Sequence, residues 1–299
     1  MATDRGARTE PTAFEYQRAD SWDEAAELLR IWEGEAKILA GGQSLVPMLN
    51  LRLTMPAALI DINDIGDEGG PRLETSTEGQ VVVIPALTRH STVLASSVIA
   101  EHCPMLRAAV GLVGNVRVRN RGTFGGSVAH ADPTGEIPCC VLAMGGTITL
   151  QGPLGTRTVP ASEWFRTYLT TAAEPDELVT EVRIPSAAGA AWAFEEEVRR
   201  FSDFATVSVA LQARPGRIPS IVLGGVADRP VLVTADVVGP LRNQERTTVT
   251  AVADLAARST EPESDVHASA EHRRRLVRVL VRRALVRALG LDDGNGAPS

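Results

Sequence analysis

Two glycine-rich segments constrain the fold of this chain more than any other feature of its sequence. They are residues 40–45 and 123–127, and each contains a pair of adjacent glycines after residues that we expect to be extended. Successive glycines can adopt positive φ angles and turn consecutive main-chain N–H groups into one concavity, which binds an anion. Two such turns facing each other predict a site for both phosphates of a pyrophosphate.

Hydroxyl side chains in the same segments, Ser44, Thr123 and Ser127, would add donors to this site without any lysine or arginine. A single glycine pair is more often an ordinary turn, and we expect that for Gly224-Gly225, which precedes further turn residues. The prediction of a phosphate site therefore depends on both segments together.

Other phosphate-binding and catalytic motifs are absent from the sequence. It has no Gly-x-Gly-x-x-Gly fingerprint, no Walker loop and no Gly-x-Ser-x-Gly elbow. Its five histidines lack paired metal-ligand spacing, and its three cysteines are too few for a four-thiolate cluster. We therefore expect neither a catalytic residue nor a metal site in this chain.

Charge and hydropathy restrict the environment of the protein. The 299 residues include 30 basic and 37 acidic side chains, and the net charge of −7 argues against nucleic acid as a partner. No run approaches the roughly 18 apolar residues of a membrane span, and residues 1–20 lack an apolar core. Because the cysteines form no disulfide pattern, we expect a cytoplasmic protein without a membrane span.

Alternating helical and extended patterns predict an α+β fold. Helices are predicted at 22–34, 91–97, 105–113 and 269–289, and strands at 37–40, 58–62, 81–85, 147–150, 206–210 and 221–223. Residues 116–121 lead into the second glycine segment. The small, proline-led segment 185–190 predicts a domain boundary.

Asp132 lies among small residues, where its carboxylate is expected to be partly buried and to need a hydrogen-bond donor. In one interpretation, a ligand hydroxyl or ring N–H is that donor. In the other, Asp132 caps a helix that begins at Pro133. The two roles are compatible, and both stay open.

The predicted C-terminal helix carries seven arginines. They are either a solvated face paired with acidic neighbours or a docking face for an acidic partner. The residues predicted to face inward are Leu276, Val279, Leu280, Ala284, Leu285 and Leu289.

In this order and at this separation, the two glycine segments resemble the FAD-binding medium subunits of molybdenum hydroxylases, the carbon monoxide dehydrogenase and xanthine dehydrogenase family. That family has Ala-Gly-Gly-x-Ser-Leu, followed by Val-Arg-Asn-x-Gly-Thr-x-Gly-Gly-Ser/Asn and Ala-Asp-Pro. This chain has those patterns at 40–45, 118–127 and 131–133. The likeness continues to the terminal helix and covers nearly the whole sequence.

The resemblance implies FAD as the cofactor and a two-part fold. An FAD-binding domain at 1–187, of the vanillyl-alcohol-oxidase type, has two α+β subdomains at about 1–65 and 66–187, and a smaller α+β domain follows at 188–299. The glycine segments would bind the pyrophosphate, Asp132 the ribityl or ribose part, and Phe194-Glu195 would lie near the isoalloxazine ring. The residues implied to contact FAD are Ile38, Leu39, Ala40, Gly41, Gly42, Gln43, Ser44, Leu45, Val113, Thr123, Phe124, Gly125, Gly126, Ser127, Asp132 and Val179.

The resemblance also implies a function in electron transfer. The chain would take electrons from a partner [2Fe-2S] small subunit, beside a molybdopterin-containing large subunit, and pass them to an external acceptor. Two alternatives stay open. One is a free-standing FAD-dependent oxidase or dehydrogenase with His90, His130 or Glu136 as its base, and the other is a cofactor-free scaffold, which Pro85 in place of the family's usual glycine favours.

Overall fold

A computed structural model of the chain describes residues 10–66, 69–77, 79–214, 218–238 and 246–290. Helices and strands alternate through these residues, and the predicted α+β class is confirmed. Residues 1–9 and 291–299, the ends of the two predicted domains, lie outside the described part. Among the described residues, every helix is too short or too polar to span a bilayer.

The N-terminal region is a parallel three-stranded sheet with one main covering helix. Its elements are β1 (Glu15–Arg18), α1 (Trp22–Ile31), β2 (Ala36–Leu39), α2 (Leu45–Asn50) and β3 (Ala58–Asp61), and the strand order is β1-β3-β2. Ser21 caps α1, because its Oγ accepts the N–H of Glu24 at 3.2 Å. Leu29 on α1 packs on Ile60 of β3 in a small apolar core.

The central region is an antiparallel five-stranded sheet in the order β4-β5-β10-β6-β7. Its strands are β4 (Arg72–Ser76), β5 (Gly79–Pro85), β6 (Thr147–Gly152), β7 (Gly155–Pro160) and β10 (Leu178–Pro185), with β8 (Phe165–Thr167) and β9 (Thr170–Thr171) as a separate pair. Its helices are α3 (His90–Ala95), α4 (Ser97–His102), α5 (Pro104–Leu112), α6 (Val116–Arg121), α7 (Phe124–His130), α8 (Glu136–Ala143) and α9 (Ala161–Trp164).

Two sequence predictions in this region are corrected. The helix predicted at 91–97 is two helices, because Ser96 ends α3 in an extended conformation and its Oγ accepts the N–H of Ile99 in α4. Residues 116–121 form α6 rather than an extended lead, since the Asn115 side chain accepts the N–H groups of Arg117 and Val118. In both places a polar side chain caps the start of a helix, and this cap sets where the helix begins.

The C-terminal region is an antiparallel sheet in the order β11-β12-β13-β14, covered by helices. Its elements are β11 (Ala191–Val198), β12 (Ala205–Ala213), β13 (Ser220–Gly224), β14 (Val231–Leu232), α10 (Ala235–Val238), α11 (Arg246–Arg258) and α12 (Ala270–Leu289). The prediction that Val279 faces inward is wrong, because it is 49% exposed. Val277 and Val281 are buried instead, in step with Leu280 and Ala284.

The central and C-terminal regions meet where α8 packs against β12 and β13. Gly225 has φ +73° and donates its N–H to the carbonyl of Pro133 at 2.9 Å. A Cβ on Gly224 would lie 3.0 Å from the Sγ of Cys139 on α8 and 3.2 Å from the carbonyl oxygen of Pro133. Gly224 ends β13 and Gly225 begins the bend that follows, and the lack of a side chain at Gly224 also lets the two regions pack closely.

The arginines of α12 are largely paired within the chain. Arg278 binds Asp254, and Arg283 and Arg287 both reach Glu195 on β11. Arg273 is buried and donates to the carbonyls of Thr206 and Gly225 and to Asp265. These contacts favour the interpretation in which the helix pairs with acidic neighbours.

Replacing Arg273 by Met should lower the free energy of unfolding by about 3 kcal/mol, because buried carbonyls lose their donors. Urea unfolding followed by circular dichroism measures the change. The matched control is Arg275→Met on the exposed face of the same helix, which should cost less than about 0.5 kcal/mol. Equal losses in the two variants would contradict this role of Arg273.

Candidate functional site

A cavity of about 710 Å³ lies between the N-terminal sheet and the helices of the central region. Its walls include residues 36–38 and 40–45 from the first region and residues 122–123, 125–127 and 129–130 from the second. Its volume is in the range typical of small-molecule and cofactor sites. The cavity therefore brings both glycine segments of the sequence into one place.

The first glycine segment closely approaches the main chain of residues 121–122, immediately before the second segment. A Cβ on Gly41 would lie 2.4 Å from the carbonyl oxygen of Arg121 and 2.8 Å from the Cα of Gly122. Any side chain at position 41 would therefore force the two segments apart. Gly42 has φ +71°, the left-handed conformation predicted for the first segment.

The first segment offers free main-chain donors. Within the described residues, no protein acceptor lies in hydrogen-bonding distance of the N–H groups of Gly42, Gln43 and Ser44. The chain enters α2 directly afterwards, where the carbonyls of Gly42 and Ser44 accept the N–H groups of Val46 and Met48. Successive unpaired amides of this kind bind anions.

The second segment does not form the predicted nest. Neither Gly125 nor Gly126 has a positive φ, because residues 124–127 are the first turn of α7 and Thr123 is its cap. Phe124 and Gly125 donate their N–H groups to the carbonyls of Thr88 and Ala86 at 2.9 and 2.8 Å. The glycine at 125 is needed for close packing, since its Cβ would lie 2.4 Å from the Cβ of Ala86.

Asp132 forms a local turn beside the cavity. Its Oδ1 accepts the N–H and the hydroxyl of Thr134 at 2.8 and 2.6 Å. The predicted helix cap is wrong, because α8 begins at Glu136 with Gly135 as its cap. The Asp132 side chain is half-buried, as predicted, and lines the cavity.

Three titratable side chains on the cavity wall are perturbed by burial. Burial lowers the pKa of His90 to about 4, although the Thr123 carbonyl opposes the shift, and burial also lowers the pKa of His130. Burial raises the pKa of Glu136 to about 7, and the charges of Glu196 and Asp132 act in the same direction. Both histidines are therefore neutral at physiological pH, and Glu136 titrates near it.

Glu196 lies on β11, opposite the buried Ser208 of β12. Burial raises the pKa of Glu196 to about 7, and its Oε2 is buried without a hydrogen-bond partner. The boundary between the central and C-terminal regions therefore contains two carboxyl groups, from Glu136 and Glu196, that are costly to ionise. Among the described residues, no group of three or more His, Cys, Asp or Glu side chains could hold a metal ion.

The loop before β12 closes one side of the cavity. Ser202 has φ +67° and donates its hydroxyl to the carbonyl of Gly114 at 3.0 Å. Ser202, Asp203 and Phe204 all line the cavity. The C-terminal region thus supplies part of the wall.

Most residues selected from the sequence lie on this cavity, and a few do not. Leu39 lines a neighbouring cavity of about 430 Å³, and Phe124 is fully buried in the core. Phe194 is also in the core, and Glu195 pairs with arginines of α12. The residues on the 710 Å³ cavity are Ile38, Ala40, Gly41, Gly42, Gln43, Ser44, Leu45, Val113, Thr123, Gly125, Gly126, Ser127, Asp132 and Val179.

Sequence reasoning missed several walls of the cavity. They include Thr54, Leu87, Trp164 and Leu169, which come from separate loops and elements. Trp164 is fully buried and donates its ring N–H to the carbonyl of Val128 on α7 at 3.0 Å. None of these residues belongs to a local motif, so no sequence signal identifies them.

The raised pKa of Glu136 predicts a pH-dependent stability. Between its ordinary pKa of 4.5 and about 7, the folded state retains a proton that the unfolded state has lost, so stability falls as pH rises. Glu136→Gln removes this cost. We compare the free energy of unfolding of the Glu136→Gln variant with that of the unsubstituted chain, both without flavin. This difference should increase in favour of the variant by about 2 kcal/mol from pH 5 to pH 8.

Urea unfolding at the two pH values measures this gain. Glu197→Gln, at an exposed position on β11, is the control and should show the same difference from the unsubstituted chain at both pH values. If Glu136→Gln instead changes the free energy of unfolding equally at both pH values, the pKa of the Glu136 carboxyl is not raised in the folded protein.

Comparisons with known proteins cover nearly all of the chain. The family described as "FAD binding domain in molybdopterin dehydrogenase" matches residues 12–187, and "CO dehydrogenase flavoprotein C-terminal domain" matches residues 192–288. The carbon monoxide dehydrogenase medium chain of Hydrogenophaga pseudoflava is 36% identical, over 92% of this chain and 96% of that protein. Subunit alpha of the 6-hydroxypseudooxynicotine dehydrogenase complex of Paenarthrobacter nicotinovorans is 35% identical, over 93% and 95%.

Solved structures agree with these sequence matches. A carbon monoxide dehydrogenase from Hydrogenophaga pseudoflava aligns with a TM-score of 0.86 and 35% identity, over 94% of this chain and 99% of that chain. Quinoline 2-oxidoreductase from Pseudomonas putida 86 aligns with a TM-score of 0.85 and 30% identity, with the same coverage. The fold is thus an FAD-binding domain followed by a smaller C-terminal domain. The chain belongs to the FAD-binding medium subunits of molybdenum hydroxylases and is an FAD-dependent oxidoreductase subunit.

Proposed function

We propose that this chain is the electron-transfer subunit of a three-component hydroxylase or dehydrogenase. It receives electrons from a [2Fe-2S] small subunit, which is reduced by a molybdopterin-containing large subunit, and passes them to an external acceptor. The proposal is supported by its relatives, which are medium chains and subunits of dehydrogenases and of a hydroxylase. The main structural support for the proposal is the close approach of Gly41 to Arg121, because it holds the two glycine segments at one cavity.

We assign FAD to the 710 Å³ cavity. The cavity fits the cofactor because free amides, hydroxyls and a half-buried carboxylate lie beside apolar walls. Bound FAD supplies the redox chemistry, and the chain supplies position and surroundings. The residues proposed to hold it are those predicted from the sequence: Ile38, Leu39, Ala40, Gly41, Gly42, Gln43, Ser44, Leu45, Val113, Thr123, Phe124, Gly125, Gly126, Ser127, Asp132 and Val179.

The parts of the site would have different tasks. The N–H groups of Gly42, Gln43 and Ser44 donate to the diphosphate. Asp132 accepts from a hydroxyl of the ribityl or ribose part through Oδ2, since its Oδ1 already accepts from Thr134. Leu39 and Phe124 contribute main chain only, because their side chains lie away from the cavity. Val113 and Val179 exclude water from the bound cofactor.

The partner proposal also rests on cysteine chemistry. A [2Fe-2S] cluster needs four thiolate ligands. This chain has three cysteines, and Cys103, Cys139 and Cys140 are all buried. Burial raises the pKa of the Cys103 and Cys139 thiols to about 12, so they stay protonated. The iron–sulfur centres of the proposed complex therefore lie on another chain.

We place the domain limits at 1–187 and 188–299, with subdomains at about 1–65 and 66–187. The first subdomain limit is supported by the change from a parallel sheet that ends with β3 to an antiparallel sheet that begins with β4. The second limit is supported by the short segment between β10 and β11. The Ser202 loop then reaches back across this limit to the cavity.

Gly41→Ala should weaken FAD binding at least tenfold, because the added Cβ separates the two glycine segments. Isothermal titration of flavin-free protein with FAD measures the dissociation constant. Gly66→Ala is the matched control, since a Cβ there meets no atom within 4 Å and the residue has no positive φ. Unchanged affinity in Gly41→Ala would contradict the proposed site.

Purification of the tagged chain from its native cells tests the proposed complex. We expect two companion chains together with molybdenum, iron and FAD. Recovery of the chain alone with FAD, and turnover of an organic substrate by it, would support the free-standing oxidase or dehydrogenase instead. Recovery without any flavin would support the cofactor-free scaffold.

A further inference from the structure

His90 begins α3 and lies beneath the second glycine segment. It is 3% exposed and lines the 710 Å³ cavity, and its N–H donates to the carbonyl of Gly122 at 3.0 Å. The imidazole passes so close to Gly122 that a Cβ there would lie 2.9 Å from its Cε1. The ring therefore packs directly against the main chain of the segment.

The contacts of the ring determine its tautomer. His90 Nε2 lies 3.0 Å from the carbonyl oxygen of Thr123. A carbonyl oxygen can only accept, so Nε2 must carry the hydrogen. Nδ1 is then the bare nitrogen, and it is buried without a hydrogen-bond partner. Protonation of Nδ1 would leave a buried donor unpaired, and the positive charges of Arg89 and Arg119 also oppose it.

The same tautomer orients a hydroxyl group. Ser127 Oγ lies 3.1 Å from His90 Nε2, which is the nitrogen that carries the hydrogen. The single Nε2 hydrogen is then shared between the Thr123 carbonyl and Ser127 Oγ in a three-centre bond. The hydroxyl oxygen accepts from the ring, and its own hydrogen is left for another acceptor. Ser127 lines the cavity, so that acceptor can be a ligand.

The Ser127 hydroxyl matters because the neighbouring main-chain N–H groups are already hydrogen-bonded within the protein. The N–H groups of Phe124, Gly125 and Ser127 are paired with carbonyls, and that of Gly126 with the Thr123 hydroxyl. The amides of residues 124–127 are therefore already used within the protein. Ser127 Oγ–H is therefore a donor that the first turn of α7 can still offer to a ligand.

We propose that His90 is a positioning residue for FAD: as its neutral Nε2–H tautomer, it fixes the Ser127 hydroxyl as a donor to the FAD diphosphate. The proposal rests on the FAD site described above. It assigns His90 no part in proton transfer, because Nε2 is bonded and Nδ1 is enclosed by protein.

Two substitutions separate hydrogen bonding from packing. In His90→Gln, the side-chain amide nitrogen can reach the place of Nε2 and donate to Ser127. In His90→Asn, the shorter amide lies near the place of Nδ1 and cannot. Titration calorimetry with FAD should give a dissociation constant within about threefold of the unsubstituted chain for His90→Gln and about tenfold weaker for His90→Asn.

A double-mutant cycle tests whether the effect passes through the hydroxyl. Ser127→Ala should weaken FAD binding about tenfold, and His90→Asn with Ser127→Ala should weaken it no further. A roughly hundredfold loss in the double variant would show two independent effects and overturn the proposal. Equal losses in His90→Gln and His90→Asn would overturn it as well.

The tautomer of His90 can also be determined directly in the unsubstituted protein, where no substitution can change stability. In FAD-bound protein labelled with ¹⁵N-histidine, NMR should show the His90 proton on Nε2, with the signals identified from the His90→Gln spectrum. A proton on Nδ1 would overturn the proposal. If Gly41→Ala does not weaken FAD binding, the FAD site itself fails; if Gly41→Ala does and His90→Asn does not, only the role of His90 fails.

Discussion

The site depends on one close approach, that of Gly41 to the main chain of Arg121 and Gly122. Two segments that are distant in sequence can share one cavity only because no side chain separates them. The cost of this arrangement is conformational, since glycine loses more backbone freedom on folding than other residues. Hydrogen-bonded structure on both sides offsets this entropy loss. A parallel sheet precedes the first segment, and α6 and α7 flank the second.

The two glycine segments at the cavity differ in whether their main-chain N–H groups are hydrogen-bonded within the protein. The first leaves the N–H groups of Gly42, Gln43 and Ser44 unpaired, at the start of a short helix. In the second, the N–H groups of residues 124–127 are paired with Thr88, Ala86 and Thr123 of the protein itself. One segment therefore contributes donors from the main chain, and the other contributes a fixed surface with hydroxyls on it.

Much of this arrangement could be predicted from the sequence, and its failures have physical causes. The glycine pairs and their hydroxyls are local signals, and the structure brings both segments to one cavity. The backbone geometry at Gly125-Gly126 could not be predicted, because a glycine needed for packing on Ala86 looks the same as one needed for positive φ. One of the two interpretations of Asp132 made it a helix cap, because Asp-Pro suits one, yet Thr134 provides nearer donors. Cavity walls such as Trp164 depend on tertiary contacts alone.

The hydrogen bond from Ser202 to Gly114 has a consequence for how the protein matures. It fastens a loop of the smaller domain over a cavity that is otherwise built by the larger one, and Phe204 comes with it. The chamber is therefore complete only after both folding units have formed and docked. Because synthesis starts at the N-terminus, the larger domain is made first, and its cavity lacks this wall until the smaller domain has folded against it.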